Sequence, residues 1–320
     1  MVRTLVATLA FALLALPAFA QYPTRAVTIV VPFPPGGGTD TGARLLAARL
    51  AQRWGQPVLV ENKPGAAGMV GVEYVSKQKP DGYTLLMGNF GTQSVNPTLY
   101  AKKLAYNPDT SFVAVSLVAD LPLVLVVNPS VPAREARELI ALAKASPGKV
   151  TYSSSGAGGS MHLAGALFES ASGTQMLHVP YKGGGPAIAD LIGGHVNASF
   201  ATILETSGHL KAGRLRALAV TGRARSPTLP DVPTLADTVL PGFNSSSWIG
   251  LLAPAGTPAA LVQKIAADTS EALQDAELRQ KLVEQGAVPA GSTPAEFQAL
   301  IDDDRRRYAR IIQDKNITVD

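Results

Sequence analysis

Short β-branched runs alternate with segments of helical period along almost the whole chain, which restricts it to α/β architectures built on parallel strands. Val27–Val31 is such a run, ending at Pro32 as a buried parallel strand would. After Gly36-Gly37-Gly38, the residues Ala43, Leu46, Ala47, Leu50 and Trp54 recur at helical spacing until Gly55 stops the helix. Thr39 is the expected N-cap, and Asp40 sits in the first turn, where the helix dipole favours an anion. Strands over 58–60 and 84–87, with a helix over 69–77 between them, complete a βαβαβ unit.

A second series begins with the β-prone run 123–127, between Pro122 and Pro129. Strands are expected at 150–153, 176–179, 196–200 and 215–221, and helices at 134–144, 161–170, 186–192 and 205–212. Pro227, Pro230, Pro233 and Pro241 mark 226–243 as a surface connection. A strand at 248–253 and helices at 258–274, 276–285 and 293–315 follow. The run Asp302, Asp303, Asp304, Arg305, Arg306, Arg307 reads as a solvated face of the last helix. Two α/β lobes joined by chain crossings near residues 124 and 224 are expected to form a clamshell. Lobe 1 comprises 21–123 plus 225–320, and lobe 2 comprises 124–224. In open parallel sheets, ligands bind beyond the carboxyl ends of the strands, which here points to the cleft between lobes.

Residues 1–20 stand apart. Arg3 supplies a short positive region, an apolar run extends to Pro17, and Ala18-Phe19-Ala20 reads as a cleavage site before Gln21. The run is shorter than the ~20 residues needed to span a bilayer. A cleaved signal peptide and a periplasmic protein are therefore expected. The chain has no cysteine, which removes disulfides, thiolate metal sites and cysteine nucleophiles. A net charge of +4, without basic runs, argues against nucleic acid.

Two loops echo one another. Val27–Val31 leads into Pro34, Pro35, Gly36, Gly37, Gly38; the strand at 150–153 leads into Ser154, Ser155, Gly156, Ala157, Gly158, Gly159, Ser160. Each runs strand, small-residue loop, helix, and so places unpaired N–H groups at the positive end of a helix dipole. Such amides suit an anion. The first loop is not a phosphate-binding Walker loop, because no Lys-Ser or Lys-Thr follows Gly38. The second departs from the dinucleotide fingerprint, since its glycine after Gly158 comes one residue later instead of three. His162, His178, His195 and His209 show no metal-ligand spacing, although His162 follows the second loop. A serine hydrolase built on Ser154 or Ser155 would need a base that the sequence does not reveal. Lys182, in the third glycine-rich loop, could pair with a carboxylate.

Pro32-Phe33-Pro34-Pro35-Gly36-Gly37-Gly38-Thr39-Asp40 resembles the first-loop signature of the Bug-type solute-binding receptors of tripartite tricarboxylate transporters. Glu61-Asn62-Lys63-Pro64-Gly65-Ala66-Ala67-Gly68 is similar to their second signature, and the segments 179–187, 211–221, 229–234 and 250–258 also follow the pattern. The resemblance implies a bilobal periplasmic-binding-protein fold of the two-crossover type, with no enzymatic activity and no cofactor. It implies a carboxylated ligand held at the loops Phe33 to Gly38 and Ser154 to Ser160, with Phe33 covering it. Asn89, Gln93, Tyr181 and Thr202 are the remaining candidates for the wall. The implied partners are the small acid and the transporter's membrane subunits, or a membrane signalling protein if the role is sensing; the chain itself is expected to be a monomer. Family members often carry Asp where this chain has Ala201, and many have His where it has Ser94. That departure suggests an acid without a free amino group.

Overall fold

The computed structural model describes residues 22–181 and 184–318. The expected leader, its cleavage site, Lys182 and Gly183 lie outside these residues. In chain order the elements are β1 (Val27–Val31), α1 (Gly38–Trp54), β2 (Val58–Asn62), α2 (Met69–Ser76), β3 (Thr84–Asn89), a short α3 (Asn96–Leu99) and β4 (Phe112–Val127). Then come α4 (Ala136–Ala145), β5 (Thr151–Ser154), α5 (Ser160–Ser172), β6 (Leu177–Pro180), α6 (Gly184–Gly193), β7 (Ala198–Thr202), α7 (Ile203–Lys211) and β8 (Arg216–Val220). The chain ends with α8 (Leu235–Thr238), β9 (Ser246–Pro254), α9 (Ala259–Ala272), α10 (Ala276–Glu284), β10 (Val288–Pro289) and α11 (Pro294–Asp314).

The strands follow the order β2-β1-β3-β9-β4-β7-β5-β6, with β8 and β10 also on β4. The expected parallel sets are present, β2-β1-β3 in one group and β7-β5-β6 in the other. Between them lie antiparallel neighbours: β9 pairs β3 and β4, while β7 and β8 pair β4. β4 is the strand common to both groups. Its first part, Phe112 to Pro122, pairs β9, and its last part, Leu123 to Val127, pairs β7. The run 123–127 is thus the second half of a 16-residue strand.

Alternation along these strands buries both faces. Ile29, Leu85 and Leu251 pack with Leu46 and Ile265 on one face of the first group; Val30, Leu86 and Leu252 pack with Phe297 and Tyr308 on the other. In the second group, Leu123, Leu125 and Val127 meet Tyr152, Phe168 and Phe200, while Val124 and Val126 meet Met161, Ile188 and Leu191. Each such side chain stabilises the fold by about 1.5–3 kcal/mol relative to exposure.

Two expectations are corrected. The connection 226–243 is not wholly superficial: Leu235, Leu240 and Phe243 are buried in the second group's core, and Thr234 caps the short α8 through Asp237 N. Its prolines break regular structure without preventing apolar side chains from packing inward. The run 302–307 is not one solvated face either. Asp304 is buried and accepts from Trp248 Nε1 at 2.8 Å, and Arg305 donates to the backbone oxygens of Gln93 and Pro108. Six consecutive residues cover more than one helical turn, so some of them must face the core.

Candidate functional site

Strand direction sets where the loops lie. β1 and β3 run with β4, whereas β5 and β7 run against it. Asn89 at the end of β3 is level with Ile249, which is level with Ala119 of β4. Thr202 at the end of β7 is level with Leu123. The carboxyl ends of both groups therefore converge on residues 119–123 of β4, and the loops that follow β1 and β5 open toward that line.

In the first loop, Gly36 has φ 90° and Gly37 is extended (φ −77°, ψ 166°), which turns the chain directly into α1. A positive φ strains any residue but glycine. Gly37, not Thr39, is the N-cap, and no side chain caps the helix. The glycines allow the helix to start before Thr39, whose Oγ1 accepts from Asn89 Nδ2 at 3.3 Å instead. Asp40 is buried. Its Oδ2 accepts from the Gly36 amide (2.9 Å) and Arg44 Nε (3.0 Å), and its Oδ1 accepts from Asn62 Nδ2 (2.8 Å). Burial works against its charge, but Arg44, the Gly36 amide and Asn62 more than offset this and hold the carboxyl below its usual range. The Gly36 amide is thus committed within the loop and does not face an anion as expected. Asn62 Nδ2 also donates to Phe33 O, and Asn96 Nδ2 donates to Ala67 O. The stretch 61–68 therefore buttresses the first loop from below. Phe33 is half-buried, with its ring against Gly68. Pro34, Pro35, Gly36, Gly37 and Gly38 are exposed.

The second loop repeats this backbone. Gly158 has φ 76°, Gly159 is extended (φ −72°, ψ 164°), and α5 starts uncapped by any side chain. The Gly158 amide donates to Nδ1 of His162 at 3.0 Å. At the base of the loop, Ser154 Oγ lies 2.6 Å from His178 Nε2, accepts from the Gly156 amide (3.2 Å) and faces Gly156 O at 3.1 Å. His162 and His178 stack in parallel, 3.7 Å between centroids. Burial lowers both imidazoles to about pKa 4, so both are neutral at pH 7.

The structure thus supplies Ser154 with the histidine that the sequence did not reveal. The parallel register of β5 and β6 sets Tyr152 level with His178 and brings the ring to Ser154. The hydroxyl is fully buried and engaged with its own loop, so it ties the loop down and is not presented to a substrate. Ser155 and Ala157 are exposed, and Gly156, Gly159 and Ser160 are half-buried.

Of the wall residues, Asn89 joins the first loop through Thr39, and Tyr181 joins the second through its amide on Ser154 O. The Tyr181 hydroxyl donates to Asp190 at 2.7 Å. Thr202 caps α7 and donates to Glu205, while Gln93 is buried with its Nε2 3.4 Å from Thr92 Oγ1. Ser94 and Ala201 are fully buried; Ala201 packs among Val124, Met161 and Ile203 and does not line a cleft. The argument for an amine-free ligand from Ala201 therefore falls. Among the described residues no cluster of three metal-binding side chains occurs, and no helix is long and apolar enough to cross a membrane.

The solved structure of periplasmic binding protein BugD shares this α/β fold, at 34% identity and a TM-score of 0.73, covering 93% of this chain and 99% of that one. Residues 42–317 match the tripartite tricarboxylate transporter family receptor, and the chain belongs to this family. It is 38% identical to protein BugT of Bordetella pertussis over 293 residues, 92% of this chain and 90% of that one. The solved structure of R. palustris Rpa4515 with adipate is 35% identical, with a TM-score of 0.78, and the match covers 93% of this chain and 99% of that one. MatC from Rhodopseudomonas palustris with bound malate is 33% identical, with a TM-score of 0.73, covering 91% and 100%. The family is one of binding receptors, and the chain is not an enzyme.

Proposed function

We propose that this chain captures a small dicarboxylic acid between the two loops and delivers it to the membrane subunits of a tripartite transporter. The observation that carries the reading is the match between the loops: the same positive-φ glycine, the same extended N-cap glycine and the same uncapped helix start, on two strand groups that converge. Two such starts suit two carboxylates. Each amide-to-carboxylate bond contributes about 1.5–3 kcal/mol, so a few reach micromolar affinity, about −8 kcal/mol. Rpa4515 with adipate and MatC with malate support an acid without an amino group. The two strand groups form the two lobes, with the segment 226–243 packed on the second group's core, and they close about the middle of β4. Family members are periplasmic, which agrees with export through a cleaved leader over 1–20.

The test combines a panel of acids with two proline substitutions. Gly38 and Ser160 each open a helix after an extended glycine, where proline fits the backbone and removes only one N–H. Adipate or malate should raise the melting temperature, and calorimetry should show Gly38→Pro and Ser160→Pro each binding about tenfold more weakly, with unliganded stability unchanged. Undiminished affinity in both variants would remove the loops from the site. Aspartate binding more tightly than malate would overturn the amine-free class.

A further inference from the structure

We infer that His162 is a positioning residue of the second loop, the counterpart of Asp40 in the first: each reaches back from the third residue of its helix to the amide of the positive-φ glycine. The correspondence lies in the geometry. Gly36 N donates to Asp40 Oδ2 at 2.9 Å and Gly158 N donates to His162 Nδ1 at 3.0 Å, four residues apart in both cases. The two N-cap glycines agree within a few degrees. Committing that amide fixes the peptide that leads into the helix, and so aims the free amides of the first turn. The inference rests on the proposed binding role only for its effect on affinity.

The two clamps differ chemically. Asp40 clamps as an anion backed by Arg44 and Asn62. His162 can accept only through an unprotonated Nδ1, which requires the neutral ring with its proton on Nε2. Burial keeps the His162 ring neutral, and His178, stacked on it at 3.7 Å, disfavours charging both rings together. His178 also holds Ser154 at the other end of the loop, so the stack joins the loop's base to its tip. The Tyr152 ring, 6.5 Å from His162, faces the pair from β5, and Glu169 of α5 is the charged group that acts on Tyr152. The second helix start thus keeps its full positive end for the ligand, whereas the first has a carboxylate beside it.

Nitrogen NMR of the histidine rings and amide exchange at Gly158 test this without any ligand, in wild type, His162→Ala and His162→Asn. Asn places an acceptor oxygen near the position of Nδ1. The expected result is the Nε2–H tautomer at His162, with Gly158 exchange at least tenfold faster in His162→Ala and restored in His162→Asn. An Nδ1–H tautomer, or unaltered exchange in His162→Ala, would overturn the inference. With adipate as probe, His162→Ala should bind about tenfold more weakly and His162→Asn close to wild type. Equal affinity in His162→Ala would limit the contact to local structure and overturn the positioning role. Wild type binding neither adipate nor malate would count against the proposed function, while the exchange result would still decide the clamp.

Discussion

Asp120 lies at the midpoint of β4, level with Trp248 and Val288, where the two strand groups meet. Burial pushes its carboxyl up to about 6; exposed Arg223 lowers it and Asp304 adds repulsion. A carboxyl with a raised folded pKa binds protons more readily folded than unfolded. It therefore adds stability as pH falls from about 6 towards its ordinary value of 3.8, and costs stability at neutral pH. Asp120→Asn should stabilise the protein at pH 7 by about 1–2 kcal/mol, with the gain gone below about pH 4, as read from denaturant melts across pH. A variant equally or less stable at pH 7 would contradict this. At this scale the sequence was a partial guide. It marked Asp40 as a first-turn acid, but not as the clamp on Gly36, because that role depends on Arg44 and Asn62 arriving from other turns and strands. Ser154 and His178 likewise meet only through the register of two strands.

Gly165 shows how an element is held in place to serve the site. A Cβ there would lie 2.2 Å from the Tyr152 ring, so α5 packs on β5 closer than any other residue allows. That contact sets where the helix start at Ser160 points. Gly165→Ala should cost about 1–3 kcal/mol, measured by chemical unfolding, and should loosen the second loop more than the first. Elements with local signatures were legible: β1 and the stop of α1 at Gly55 stand where their patterns place them, although α1 is capped at Gly37, two residues earlier than the expected cap at Thr39. β4 was not. Its first half carries no turn signal, and Pro122 reads as a break. Proline is tolerated there because it falls where the strand changes partners: Pro122 is the last residue level with β9, and Leu123 the first level with β7. The antiparallel neighbours escaped for a related reason, since strand direction is fixed by contacts far along the chain.

For the whole molecule, the proposed closure about the middle of β4 makes a direct prediction. Adding saturating adipate or malate should reduce the radius of gyration in small-angle scattering, and Ser160→Pro should need more ligand for the same change. An unchanged radius in a ligand-saturated sample would exclude closure. The two strand groups could be read in outline because strand–helix alternation repeats on both sides of residue 124.

β4 also governs the order in which the chain can assemble. Leu123 finds its partner at Thr202, and Phe112 finds its own only at Pro254, close to the last helices. The first strand group cannot be completed while the chain is shorter than that. The long loops that must close first make such pairing slow. The strand that unites the finished molecule is also among the last to gain all its partners.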